Sequence, residues 1–167
     1  NLLKHIKVRK GDMDAGFASA DVVIEHTFNT PTTDHALIEP ECSIGVPLAD
    51  GRMEIYCGSQ IPYQDRTQVA RVMGWDESRV RIVGQLMGGG FGGKEDVMGQ
   101  AHVAMLAHVT QRPVKMLFDR HESLLVHPKR HATQIRVKIG AKKNGRIVAC
   151  ESELYGDTGA YASLGEK

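Results

Sequence analysis

Residues Gly88-Gly89-Gly90-Phe91-Gly92-Gly93-Lys94-Glu95 place five glycines within six positions, directly ahead of a lysine and a carboxylate. Glycine lacks Cβ and reaches positive φ without strain, so such a run lets backbone N–H groups approach an anion or an electron-rich oxygen closely. At a helix N-terminus the helix field adds to that attraction. Three patterns fit the same letters. Gly88-x-Gly90-x-x-Gly93 satisfies the dinucleotide fingerprint, with Asp119 closing the next strand as a ribose-binding acid would. Against it, Gly84-Gln85-Leu86-Met87 intervenes where that fold turns at once, and the preceding segment reads as hairpin and helix. Gly88-x4-Gly93-Lys94 satisfies most of a P-loop, but Glu95 stands where Ser or Thr would hold magnesium, and its charge repels phosphate. The third pattern is a family likeness that extends along most of the chain.

Other reactive side chains carry less. Ser59 and Gln60 precede a helix start, and either can cap it. His127 and His131 are four apart, yet Pro128 between them spoils a helical metal pair. His102 and His108 fall on an apolar segment and read as core histidines. Cys42, Cys57 and Cys150 form no CxxC pair, so neither a disulfide framework nor a zinc ribbon is indicated, and a reduced, cytoplasmic compartment is the default expectation.

The elements that must position these residues follow from local signals. Asp12 suits an N-cap for a short helix ending near Ala20. Residues 22 to 28 are β-branched and aromatic and read as a strand. Asp50-Gly51, taken as a two-residue turn, pairs Leu48 with Met53, Val46 with Ile55 and Ile44 with Cys57, while Pro47 puts that strand at an edge. Pro62 opens a helix to Met73, with Gly74 at its C-terminal stop. Val80 to Val83 and Val114 to Phe118 are short strands. A helix from Asp96 to Gln111, apolar on most sides, reads as buried, with small residues for close packing. Asn144-Gly145 pairs Ile139 with Cys150, Val137 with Ser152 and Ile135 with Leu154, and sets Lys138 against Glu151 and Arg136 against Glu153.

The 167 residues match one ordinary domain, and 41% hydrophobic content excludes a disordered polymer. No run approaches a membrane span. The net charge of +1 conceals a bias, because residues 112 to 146 hold ten Lys or Arg and two acids. A basic, non-catalytic binding module is therefore an alternative, although Glu151 and Glu153 can neutralise the strand and Lys142 and Lys143 can simply solvate a turn.

The glycine loop resembles that of the xanthine dehydrogenase and aldehyde oxidase family of molybdenum hydroxylases. Gly11-Asp12, Gly16-Phe17-Ala18, Ala20-Asp21, Asp34-His35-Ala36-Leu37-Ile38-Glu39-Pro40, Ser59-Gln60, Arg120-His121-Glu122 and Arg130-His131 also fall in family order. The likeness runs from about residue 8 to residue 162. With the elements above, it implies an α+β fold: mixed sheets and β-hairpins with a buried helix following the Gly-rich loop. Residues 1–167 would then be the first half of a molybdopterin-binding domain, cut at both ends relative to its parent subunit.

The resemblance implies molybdenum held by a pterin dithiolene, plain or in the cytosine dinucleotide form, and not by protein side chains. Iron–sulfur clusters and FAD are expected on other domains or subunits. The substrate would be a purine-like nitrogen heterocycle or an aldehyde, oxidised with water as oxygen source. Cofactor contacts would come from Gln60, whose amide donates to a molybdenum ligand, and from Gly89, Gly90, Phe91, Gly92 and Gly93. Glu95 would match the xanthine dehydrogenase residue that hydrogen-bonds a heterocyclic substrate, where aldehyde-oxidising relatives usually carry an apolar residue. His35 and Glu39 would support the site from behind. The family's general base and a substrate-orienting Arg, the latter shortly beyond the stretch matched by Tyr161, lie outside this chain, so the isolated 167 residues are expected to be inactive. Neither nucleic acid nor membrane is an expected partner.

Overall fold

The computed structural model describes residues 2–159 and 162–163, and Tyr161 lies outside them. In chain order the elements are α1 (Met13–Ala18), β1 (Val22–Thr30), β2 (Cys42–Pro47), β3 (Met53–Cys57), α2 (Pro62–Met73), β4 (Val80–Gly84), α3 (Gln100–Thr110), β5 (Val114–Leu117), α4 (Arg120–Val126), β6 (Ala132–Ala141) and β7 (Ile147–Asp157). The length of one domain resolves into two compact units: Asp34–Lys129, and the chain on either side of it.

The unit made by the two ends of the chain is an antiparallel sheet in the order β1-β6-β7. Asp12 caps α1 as expected, accepting from the Ala15 N–H at 3.0 Å. β6 and β7 pair Ile139 with Cys150, Val137 with Ser152 and Ile135 with Leu154, in the expected register. Their turn differs. Lys142 N donates to the Arg146 carbonyl, and Gly145 N to the Lys142 carbonyl, so the loop has three residues and an irregularity at Gly140/Ala141 restores the register. The basic strand is neutralised locally: Arg136 pairs with Glu25 at 2.7 Å and Glu153 at 3.5 Å, and Lys138 lies over the Phe17 ring. Lys142 donates to the Ser19 carbonyl, so it is not merely a solvated turn residue.

The Asp34–Lys129 unit is a mixed sheet in the order β4-β3-β2-β5. β3 and β4 are parallel, joined by α2, a β-α-β unit that the local sequence signals do not announce. Pro62 begins α2, and Gly74 ends it in the left-handed region, both as expected. Met53, Ile55, Cys57, Val69, Ala70, Val80, Val103, Ala104 and Ala107 form the core.

The first hairpin is shifted by one residue from expectation. Leu48 N donates to the Arg52 carbonyl at 2.8 Å and Gly51 N to the Leu48 carbonyl at 3.0 Å, giving a three-residue loop with Gly51 at φ +82°. Ser43 therefore faces Cys57 and Gly45 faces Ile55, while Ile44 opposes Tyr56. The physical reason lies above the sheet. α3 passes so close that a Cβ at position 45 would sit 2.6 Å from the Val103 carbonyl oxygen. That face needs the smallest residue, and apolar matching chooses the wrong one. Pro47 does not mark an edge either: β2 lies between β3 and β5, and Pro47 extends past the end of β5 pairing.

α3 begins at Gln100, four residues later than expected, because Asp96 is extended at φ −122° and ψ 153°. Only one face of it is buried, formed by Val103, Ala104 and Ala107. His102 and His108 are exposed, which corrects their reading as core histidines; the His108 ring packs edge-on against Trp75.

Candidate functional site

The glycine loop follows β4 and closes in a single 3₁₀ turn over Gly93–Glu95, not at an α-helix. The expected helix-field contribution is therefore absent at the loop, and its shape comes from its own backbone and from side-chain clamps. Gly89, Phe91 and Gly92 all have positive φ, at 105°, 53° and 92°. For phenylalanine that is an uncommon, strained conformation, which persists only where neighbours fix it. Phe91 is 69% exposed, so packing of its ring does not hold the bend.

Gln60 does. Its backbone N–H donates to the Lys94 carbonyl at 3.0 Å. Its Oε1 accepts from Gly92 N at 3.1 Å and Lys94 N at 3.3 Å, and its Nε2 donates to Glu95 Oε1 at 3.2 Å. A Cβ on Gly90 would sit 2.2 Å from Gln60 Oε1, so this clamp exists only because position 90 has no side chain. Neither Gln60 nor Ser59 caps α2, whose N-cap is Ile61 with no side-chain cap bond; Ser59 Oγ accepts from Ile61 N at 3.0 Å, one step ahead of the helix. Gln60, Gly89, Gly90, Phe91, Gly92, Gly93 and Glu95, all singled out from sequence, thus lie on one loop and its clamp.

Three groups hold the loop from below, and sequence alone assigns none of them a mechanism. Glu39 accepts from Gly88 N at 2.7 Å through Oε2 and from the Lys94 ammonium at 2.7 Å through Oε1. The Lys94 bond, with the Gly88 amide, keeps the Glu39 carboxyl below the usual range despite some burial. Lys94 is itself buried, with a side chain 3% exposed. Gly93 rests on His35, Leu37 and His127, each within 3.1 Å of where a Cβ would stand. His127 is bonded through Nε2 to Glu41 Oε1, and both are buried. Arg120 donates to the carbonyls of Leu37 and Ile38, fixing the strap that carries His35 and Glu39. The Asp34–Pro40 motif is visible in sequence. Its partners Lys94 and Arg120 lie far along the chain, and His127 is legible only as half of a histidine pair.

Burial alone would raise the Glu41 carboxyl, but chiefly the bond to His127 outweighs it and holds it below its ordinary 4.5. A carboxylate lowered in the folded state stabilises above its unfolded pKa, and that stability is lost as pH falls through the folded value. The urea midpoint should therefore drop as pH goes from about 5 to about 3, and Glu41→Gln should be less stable at neutral pH and flatter across that window. A Glu41→Gln profile parallel to that of the parent sequence would contradict this.

Behind the loop, burial pushes the Cys57 thiol up to about 12, with the Asp65 carboxylate adding to it. A thiol held protonated in this way is a poor nucleophile near neutral pH. Among the described residues no three His, Cys, Asp or Glu side chains converge to hold a metal ion. What the loop does present is backbone. Among the described residues, the N–H groups of Gly89, Gly90 and Phe91 donate to no protein group. Gln60 Nε2 has a second N–H beyond the one Glu95 takes. This donor set suits an uncharged-side-chain cradle for a cofactor that brings its own oxygen and sulfur ligands.

The family model of the molybdopterin cofactor-binding domain matches residues 1–167. The chain belongs to that family. The molybdopterin-binding chain is 42% identical over 163 residues to the nicotinate dehydrogenase large molybdopterin subunit of Eubacterium barkeri, covering 98% of this chain and 38% of that one. It is 40% identical over 165 residues to a probable xanthine dehydrogenase subunit of Bacillus subtilis strain 168, covering 99% and 22%. Its fold matches that of the aldehyde oxidoreductase from Desulfovibrio gigas with a TM-score of 0.82 at 31% identity, over 93% of this chain and 17% of the other. The chain thus spans well under half the length of these relatives. The dinucleotide reading is not favoured: despite the parallel β3–β4 pair, the glycine loop does not open onto a helix as that fingerprint requires. No described helix is long and apolar enough to cross a membrane.

Proposed function

We propose that this chain supplies the glycine-loop half of a molybdenum–pterin site in a hydroxylase that acts on a nitrogen heterocycle, with aldehydes as the second substrate class. The observation that carries it is the row of uncommitted N–H groups at Gly89, Gly90 and Phe91, held in place by the Gln60 clamp. When bound, the cofactor would supply two-electron oxidation of an electron-poor carbon with oxygen drawn from water.

The chain's own residues would bind and orient. Gly89, Gly90 and Phe91 would offer backbone donors, the two glycines without side-chain bulk, whereas the N–H groups of Gly92 and Gly93 are taken by Gln60 Oε1 and the Gly90 carbonyl. With Oε1 already accepting two N–H bonds, the Gln60 amide can present only its donor edge, which orients a cofactor ligand without adding charge. Glu95 has two tasks: Oε1 steadies Gln60, and Oε2, which takes no protein hydrogen bond among the described residues, can accept from a ring N–H of substrate. An aldehyde offers no such donor. The remainder of the molybdenum subunit would supply the general base and close the pocket. Iron–sulfur and flavin domains or subunits would carry electrons away, and a cytosine dinucleotide form of the pterin and a cytoplasmic setting fit the same reading. The likeness to nicotinate and xanthine dehydrogenase subunits supports a heterocyclic substrate.

The test is turnover of the full-length parent protein on nitrogen heteroaromatics and aldehydes in ¹⁸O-labelled water. Label should enter the product, and Glu95→Gln, which keeps an acceptor for Gln60, should lower kcat/KM about tenfold or more for heterocycles and little for aldehydes. Product oxygen drawn from dioxygen, or equal losses on both classes, would overturn the reading.

A further inference from the structure

Beneath the glycine loop lies a small polar cavity of about 10 Å³, lined by residues including Glu41, Ser43, Gly58, Lys94, Asp96 and Gln100. That is room for one water-sized occupant. Two groups on its wall are incompletely satisfied. Glu41, with a side chain 8% exposed, gives Oε1 to His127, while its Oε2 has no hydrogen-bond partner. Leaving a buried carboxylate oxygen bare is costly. Lys94 carries three N–H donors on a buried ammonium, and Glu39 takes one.

The wall chemistry decides what fits. A metal or alkali cation would share the space with the Lys94 ammonium, and an anion would share it with the carboxylates of Glu41 and Asp96. A neutral molecule that both donates and accepts meets neither conflict. We propose that one buried water occupies this cavity, donating to Glu41 Oε2 and accepting from Lys94 Nζ, and that it closes a continuous belt under the glycine loop. The belt runs from Gly88 N through Glu39 to Lys94, across the water to Glu41, and on to His127, against which Gly93 packs. Both ends of the loop are thereby tied to one polar network, and the water is the link that the side chains alone do not make. This goes beyond the proposed function and stands whichever substrate the parent protein takes.

Gly58→Ala tests it without a clash. A Cβ there meets Glu39 Oε1 at 3.4 Å, Met87 Cγ at 3.5 Å and Lys94 Nζ at 3.6 Å, all ordinary contacts, and would fill cavity space. In the full-length protein, a crystal structure that resolves ordered water should show one peak within hydrogen-bond distance of both groups, without anomalous signal when thallium replaces potassium. Gly58→Ala should remove that peak and speed hydrogen exchange of the bonded amides of Gly88, Gly92 and Gly93 by roughly tenfold. An empty cavity, a thallium signal, a peak touching only one of the two groups, or unchanged exchange once the water is displaced would each overturn the proposal. The crystallographic arm stands even if the variant is poorly produced.

Discussion

Gly90→Ala in the full-length protein should retain the fold yet bind the molybdenum–pterin group about 10- to 100-fold more weakly. The reasoning is steric and local. The added methyl carbon would fall 2.2 Å from Gln60 Oε1, an impossible separation, but that atom ends a flexible side chain. Gln60 would swing out, so the clash itself displaces no backbone. Oε1 then gives up the N–H groups of Gly92 and Lys94, and Nε2 gives up Glu95. The bonds to Gly92 and Lys94 are worth about 1 kcal/mol each net and the one to the Glu95 carboxylate somewhat more, and the freed groups can bond water instead, so the domain remains folded. The strained Phe91 backbone, however, loses the clamp beside it and relaxes. Equilibrium dialysis with molybdenum quantification, alongside circular dichroism, separates the two effects. Full cofactor retention would mean that Gln60 does not shape the loop.

The second large effect is on stability. Gly45→Ala should destabilise the Asp34–Lys129 unit by about 1–3 kcal/mol, lowering its thermal midpoint by several degrees. Here the new carbon meets backbone: the Val103 carbonyl oxygen at 2.6 Å, its carbon at 2.8 Å and Ala104 N at 3.3 Å. Nothing at that point can rotate away, so α3 must lift from β2 and open the contacts of Val103, Ala104 and Ala107. Because α3 begins only a few residues after the glycine loop, its displacement should also loosen that loop. Differential scanning of the variant against the parent sequence measures the first effect, and an unchanged midpoint would contradict it.

These two positions also show where sequence reasoning reaches and where it stops. Asp12 capping, Pro62 opening α2, Gly74 ending it and the β6–β7 register all rest on interactions between residues close in sequence, and each is legible there. The glycine loop and Gln60 are legible through family likeness. The β2–β3 register is not, because a three-residue turn built on Gly51 and the close passage of α3 over Gly45 override apolar matching. The start of α3 is misleading in sequence because Asp96 looks like a first-turn acid, while the true N-cap, Gly99, carries no capping side chain. Glu39 with Lys94, and Glu41 with His127, join residues 55 and 86 positions apart. No local pattern encodes such pairings, so the polar support beneath the loop emerges only once the chain is folded.

The central claim is that the Gly89–Phe91 backbone and Gln60 cradle a molybdenum–pterin group. Metal and pterin analysis of the purified full-length protein, with the Gln60→Ala variant beside it, tests that most directly. The account predicts about one molybdenum and one pterin per chain in the parent sequence, and loss of most of both in a folded Gln60→Ala variant. A bound nicotinamide or flavin nucleotide without molybdenum, or full molybdenum in the variant, would contradict it.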